Sequence, residues 1–283
     1  MKRSDRWPEY IRKAIDSQER CEYTERSQKR DYKRKIREWK RFLRTEQEPD
    51  DDILINIGDC YWELGKFKKA EKALKEAIDI NPNNAKAFYN LAFVYSSTDN
   101  IIEEEKAFKR AIKIDPDDYS SIYELGVLFS EQHRFGEAIE TLQQAIKVAS
   151  KPTIGNSSMD AYIEIGDIYI EQEKYEEAKE TLEQAIKKYP FNVYALTTLG
   201  EVYIELKEYD KAEKVLEKAS TTYPTTAHTF EVLGIAYKKL NKCEEADEAN
   251  KKAEDIRSIK RVRGQWQWTE RNMNKEEEES NNE

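Results

Sequence analysis

The chain has 283 residues, 38% hydrophobic and 37% charged, and a formal net charge of -9 at neutral pH. That proportion of charge leaves too little apolar material for one large globular core and suits an elongated fold with much surface. No run of about 18 apolar residues argues for a membrane span, and Met1 to Arg6 lead into no apolar signal core, so the expected location is the cytoplasm, away from membranes.

The charge is unevenly distributed. Residues 1–50 hold 16 Lys and Arg against 11 Asp and Glu, whereas the other 233 residues hold 32 against 46. A basic arm therefore precedes an acidic body. Near its start, Trp7, Tyr10, Ile11, Ala14 and Ile15 predict an amphipathic helix beginning about Pro8. Residues 26–44 then concentrate ten basic side chains against Asp31 and Glu38. Through them runs an apolar stripe, Tyr32, Ile36, Trp39 and Leu43, at steps of 4, 3 and 4. This predicts a helix over about residues 31–48, ended by Pro49, that caps the acidic body as a degenerate half-repeat.

Residues 51–260 use one pattern six times. Ile57-Gly58, Leu91-Ala92, Leu125-Gly126, Ile165-Gly166, Leu199-Gly200 and Leu233-Gly234, each with an aromatic three residues after the small one, recur at steps of 34, 34, 40, 34 and 34. The six repeats are 51–84, 85–118, 119–152, 159–192, 193–226 and 227–260, with an insert at Thr153 to Ser158. Position 8 is Gly or Ala throughout, and position 20 is Ala70, Ala138, Ala178, Ala212 and Ala246, which predicts an antiparallel helical hairpin crossing closely where these small residues meet. Position 27 is alanine in all six repeats and lets the second helix sit against the next hairpin. Pro82, Pro116, Pro190 and Pro224 at position 32 stop the second helix. After the sixth repeat the last helix is expected to run to about Gly264, with Trp266 and Trp268 folding back on it or staying free. Residues 261–283, rich in Glu, read as an acidic, disordered tail.

At these residues the sequence resembles the tetratricopeptide repeat family over about three quarters of its length. The resemblance implies an all-α fold, a right-handed superhelical solenoid of six hairpins with a helical N-terminal flank. Three positions depart from the pattern: Glu104 at position 20 of repeat 2, Ser150 in place of proline with Pro152 late, and Asn250 at position 24 of repeat 6. A polar residue at that last place fits a terminal repeat facing water.

Nothing in the chain carries catalytic chemistry, and the expectation is a non-enzyme without cofactor or metal. His133 and His228 stand alone, no phosphate-binding glycine loop occurs, and Cys21, Cys60 and Cys243 lack the spacing of a zinc or redox site, so they read as reduced and mostly structural. Asp115, Asp117 and Asp118 lack the glycine and glutamate of a calcium loop and read as helix-start and turn acids. The tyrosines at position 11 recur with the repeat and read as core.

By the resemblance, binding lies on the concave surface lined by positions 2, 5, 6, 9, 12 and 13 of each first helix. The 36 residues so selected include twelve acids and three bases, Lys86, Lys238 and Lys239. The candidate groove comprises Asp59, Trp62, Glu63, Tyr89, Asn90, Phe93, Tyr123 and Glu124 in the N-terminal half. Further along it comprises Ile163, Glu164, Asp167, Ile170, Glu171, Glu201, Ile204 and Glu205. Acid with apolar anchors suits a basic, amphipathic protein segment, making the chain a protein-interaction scaffold. The carboxylate clamp of chaperone-binding relatives is not met, since of its positions in repeats 1 to 3 only Asn90 fits while Asp59 and Glu124 would repel the ligand. Two other readings stay open: an RNA or ribonucleoprotein adaptor using the basic arm with Tyr32 and Trp39 as stacking groups, and self-association through residues 1–48.

Overall fold

A computed structural model describes residues 27–44, 50–150 and 158–258, and among these the only regular structure is helical. The expected helix near Pro8, most of the insert, and everything after residue 258 lie outside the described residues. The chain divides into an N-terminal unit, residues 1–156, and a C-terminal unit, residues 157–283.

In the N-terminal unit, helix α1 occupies residues 27–44, beginning earlier than the apolar stripe alone predicts. Ile36 is buried and Tyr32, Trp39 and Leu43 are half-buried, while the ammonium of Lys40 lies 5.2 Å from the Tyr61 ring centroid in the next helix. Three hairpins come next: α2 (Asp51–Glu63) with α3 (Phe67–Ile80), α4 (Ala85–Ser96) with α5 (Ile101–Ile114), and α6 (Tyr119–Glu131) with α7 (Phe135–Ala149). The C-terminal unit repeats the plan with α8 (Met159–Glu171) and α9 (Tyr175–Lys188), α10 (Val193–Glu205) and α11 (Tyr209–Thr222), then α12 (Ala227–Lys239) and α13 over 243–258. No helix among the described residues is long and apolar enough to cross a membrane.

Each first helix stops in the same way. Position 15 is left-handed in every hairpin, at Gly65, Asp99, His133, Glu173, Lys207 and Asn241, with φ between 54° and 66°. The next N–H donates to the carbonyl of the position-11 aromatic, as Lys66 to Tyr61 and Lys174 to Tyr169 do at 2.8 Å, closing the helix end. Only Gly65 adopts this conformation without strain; each of the other five side chains carries a cost of about 1 kcal/mol. The following first helix is started by a side chain: Asp50, Asn84, Asp118 and Asn192 each accept from a backbone N–H two or three residues on, at 2.9 to 3.3 Å. Asp118 is thus a helix cap, and Asp115 accepts from the N–H of Asp117 in the preceding turn. Without proline at position 32, α7 continues to Ala149, where the Ser150 hydroxyl donates to the Ile146 carbonyl at 2.8 Å.

Within a hairpin the small residues at positions 8 and 20 are both buried, and glycine at position 8 also lies against the side chain at position 24. A Cβ on Gly58, Gly126, Gly166 or Gly200 would fall 2.8, 2.7, 2.9 or 2.5 Å from Leu74, Leu142, Leu182 or Leu216. The alanines at position 20 share that core, Ala178 and Ala212 lying in one cluster with Leu182 and Leu216. In repeat 6 the facing residue is Asn250, exposed, with its Oδ1 2.6 Å from the Cβ position of Gly234. Glu104, the departure at position 20 of repeat 2, is only 7% exposed. Burial holds its carboxyl above the usual range, a hydrogen bond from Ser96 opposes that, and Glu131 and Glu124 add to it. Cys60 is buried as expected of a structural residue, but Cys243 is exposed.

Gly200→Ala places a methyl group 2.5 Å from both Cγ and Cδ2 of Leu216 and is expected to cost about 1 to 3 kcal/mol by overpacking. Gly136→Ala, with nothing within 4 Å of the new atom, is expected to be neutral or to gain up to about 1 kcal/mol. Urea midpoints of the two variants check this, and an unchanged midpoint for the first removes the proposed closeness of the crossing.

Candidate functional site

In each unit the predicted residues lie on adjacent first helices, joined by direct contacts. In the N-terminal unit the face is aromatic and largely bonded to itself. The Asn90 amide donates to the Asp59 carboxylate, and the Trp62 indole N–H donates to Ser97 Oγ at 2.8 Å. The Tyr89 and Phe93 rings meet edge to face with centroids 4.9 Å apart, Trp62 and Phe93 at 6.3 Å, and Tyr123 stacks on Tyr119 at 5.9 Å. Phe108, at position 24, is buried beneath Tyr89 and Phe93. Burial pushes the Tyr89 hydroxyl up to about 12 and raises the Glu124 carboxyl, the latter with help from Glu131. Asp59 is also raised by burial, against the opposing pull of Lys86 and its bond with Asn90. Glu63 stays exposed at the end of α2. Asn90 is committed to Asp59, which weakens further any use of it as a carboxylate clamp.

The C-terminal unit presents a different surface. Glu164, Asp167 and Glu171 stand on α8, Glu201 and Glu205 on α10, and Ile163, Ile170 and Ile204 lie half-buried among them. The isoleucines are anchored from below: Ile170 and Ile204 pack on the cluster of Leu199, Val202 and Leu216, and Ile163 on Met159 and Ala195. One acid outside the predicted set, Glu231, extends the acidic line, and two basic side chains, His228 and Arg257, meet it there. Glu201 accepts from or pairs with His228 Nε2 at 2.8 Å, and Glu231 on α12 holds Arg257 Nη2 at 2.5 and 2.7 Å. Glu231 and His228 occupy selected positions of repeat 6, whereas Arg257 reaches in from α13, which a first-helix pattern could not reveal. Among the described residues, no three His, Cys, Asp or Glu side chains are grouped as a metal ion would need.

Asp167 records the field on this face. Crowding by surrounding protein atoms raises its carboxyl first, then the Glu164 and Glu201 charges, to about 6 against an ordinary 3.8. The side chain keeps access to water, which screens much of the energy involved. Because the folded pKa lies above the unfolded one, the native state holds the extra proton between the two values. Stability therefore falls as pH rises from about 4 to 6 and stays lower above that. Asp167→Asn is expected to be more stable than the parent at pH 7, by up to about 1 kcal/mol after screening, and no different below pH 4. Thermal melts at the two pH values check it, and a variant destabilised at pH 7 overturns it.

Comparison with known proteins places these hairpins. Family models described as tetratricopeptide repeat match residues 85–118, 118–190 and 169–228, and one described as TPR repeat matches 58–98. A search of curated proteins gave no match. Among solved structures, part of a TPR repeat-containing protein from Cytophaga hutchinsonii aligns with a TM-score of 0.64 at 16% identity, covering 83% of this chain and 93% of that one. PilF of Pseudomonas aeruginosa aligns with a TM-score of 0.59 at 20% identity, covering 70% and 88%. YrrB, described as a TPR protein with an unusual peptide-binding site, aligns at 0.52 and 19% identity, covering 70% and 98%. At these identities the structures establish the fold, and the family models establish kinship. The chain belongs to the tetratricopeptide repeat family, a generally non-catalytic scaffold fold for protein–protein interaction.

Proposed function

We propose that the first-helix face of the C-terminal unit receives a basic, amphipathic segment of a partner protein. The observation that carries this is the surface of α8 and α10, where five carboxylates surround three half-buried isoleucines. None of the twelve inward positions on those two helices is Lys or Arg. Such a cluster repels itself, and Asp167 registers the repulsion. An incoming row of Lys or Arg relieves it, while the isoleucines, already fixed by the core beneath, offer apolar contact at little ordering cost. The peptide-binding site ascribed to YrrB is consistent with a similar use of the fold. The aromatic face of the N-terminal unit, where Asn90 bonds Asp59 and Ser97 bonds Trp62, is better suited to apolar side chains.

Helix α1, in this reading, is a capping half-repeat, because its buried stripe and the Lys40–Tyr61 contact turn it toward α2. The RNA-adaptor alternative keeps the exposed Arg and Lys residues of α1 but has weakened stacking groups, since Tyr32 and Trp39 are half-buried on the packed stripe. It would rest on phosphate contacts alone, with steep salt dependence. Self-association through the same basic face remains the second protein-partner option.

The test uses a fluorescent amphipathic peptide carrying Lys and Leu at helical spacing. Glu171→Lys with Glu205→Lys is expected to lower its association rate about tenfold at low salt and to flatten the salt dependence. Ile170→Ala is expected chiefly to speed its release. Affinity unchanged by the double reversal at low salt means the binding surface lies elsewhere.

A further inference from the structure

Helix α1 packs through one apolar side, where Ile36 is buried and Tyr32, Trp39 and Leu43 are half-buried. Away from that side Arg30, Lys33, Arg37, Arg41 and Arg44 follow one another at steps of 3, 4, 4 and 3, all of them exposed. This spacing lines them up along the helix, with neighbouring Cβ atoms about 5 to 6 Å apart and a total length of about 21 Å. The centre of the stripe lies about 130° around the axis from the apolar side, so it faces outward. The two acids of α1, Asp31 and Glu38, stand off the stripe and both meet Arg34, at 3.0 and 4.0 Å. Lys35 and Lys40 lie over the Tyr32 and Tyr61 rings. Among the described residues, the five cations of the stripe have no carboxylate partner.

We infer that this stripe is a second interaction surface, and that it receives an acidic helical segment of a partner protein whose Asp or Glu residues recur at the same steps of 3 and 4. A helix laid along α1 with carboxylates at that spacing meets each cation in turn, so charge and register both match. Four of the five cations are arginines, whose planar fork holds a carboxylate through two parallel N–H donors.

Other anionic partners fit the stripe less well. Helix α1 holds nine Lys and Arg against two acids, and residues 50–150 hold twelve against nineteen, so the described part of this unit is neutral. A nucleic-acid binder shows a net-basic domain, and single strands also need rings on which bases stack. The stripe has no ring, since Tyr32 and Trp39 stand on the packed side. An anionic lipid surface holds a helix that sinks apolar side chains beside its cations, and the apolar side of α1 is already turned toward the protein. Every pair formed on the stripe is exposed, so the contact is weak, fast and readily screened by salt.

A fluorescein-labelled, alanine-based peptide with Glu at steps of 3, 4, 4 and 3 tests this when titrated into the full-length protein at low salt. Arg37→Glu with Arg41→Glu is expected to weaken binding about tenfold without changing the circular dichroism spectrum. Arg37→Lys with Arg41→Lys is expected to retain most of it. A peptide of the same composition with its Glu residues spread around the helix is expected to bind several-fold more weakly. Ile170→Ala, aimed at the acidic face of the C-terminal unit, is expected to leave this binding unchanged, so the two surfaces stand or fall separately. Equal affinity in the parent and the charge-reversed variant, or for the two peptides, overturns the inference. Tighter binding of a single-stranded oligonucleotide with a salt slope of about 3.5, or of phosphatidylserine vesicles, lost on the same reversal, assigns the stripe to phosphates and overturns the protein partner. Sedimentation that grows with concentration in the parent but not in the reversed variant assigns it to a second copy and overturns a separate partner.

Discussion

Glycine at position 8 of a first helix and a leucine at position 24 of the second are the contact on which the rest depends. A Cβ added at the four such glycines facing leucine would come within 2.5 to 2.9 Å of it, which fixes the two helices at one separation and one rotation. That rotation points position 8 into the hairpin and leaves positions 9, 12 and 13 on the first-helix face within each unit, whereas Ile55, Thr197 and Val232 at positions 5 and 6 are buried. The left-handed residue at position 15 then reverses the chain at the same place each time. A first-helix face with a regular address results from a packing constraint at positions outside it.

The two units use that face differently. In the N-terminal unit polar groups are matched inside the surface: Asn90 serves Asp59, Ser97 serves Trp62, and Ser96 serves the buried Glu104. In the C-terminal unit carboxylates gather more densely. His228 and Arg257 approach from the α12 side, at Glu201 and Glu231, while the Glu164 and Glu201 charges add to the raising of Asp167. A carboxylate already paired, as Asp59, Glu201 and Glu231 are, gains little from a charged ligand, because the ligand must displace what is there. One pressed by like charges, as Asp167 is by Glu164 and Glu201, gains more from a cation.

Much of this was legible in the sequence because repetition multiplies weak signals. One Leu-Gly-x-x-Tyr means little, but six at fixed steps determine helix pairing and the core role of the aromatics, while the inward positions come from the family resemblance. What the sequence concealed was the third member of the crossing: positions 8 and 20 read as small, but that the glycine also lies against leucine at position 24 depends on the rotation of the helices. The reversal at position 15 was also hidden, since five of its six residues are polar types with no intrinsic left-handed signature beyond that of Asp and Asn. Arg257 escaped for another reason: it belongs to a second helix and enters the first-helix face only through the length of its side chain.

The carboxylates of the C-terminal unit carry a physical cost that bears on their role. Asp167 weakens the fold at neutral pH relative to an uncharged residue of the same shape, because its charge is crowded and faces Glu164 and Glu201. Burial makes up the larger part of what opposes its ionisation, and the Glu164 and Glu201 charges the smaller; only the second part attracts a cation. On the proposed reading, a Lys or Arg bound beside Asp167 relieves that part alone, and to that extent binding and loss of the Asp167 proton favour each other.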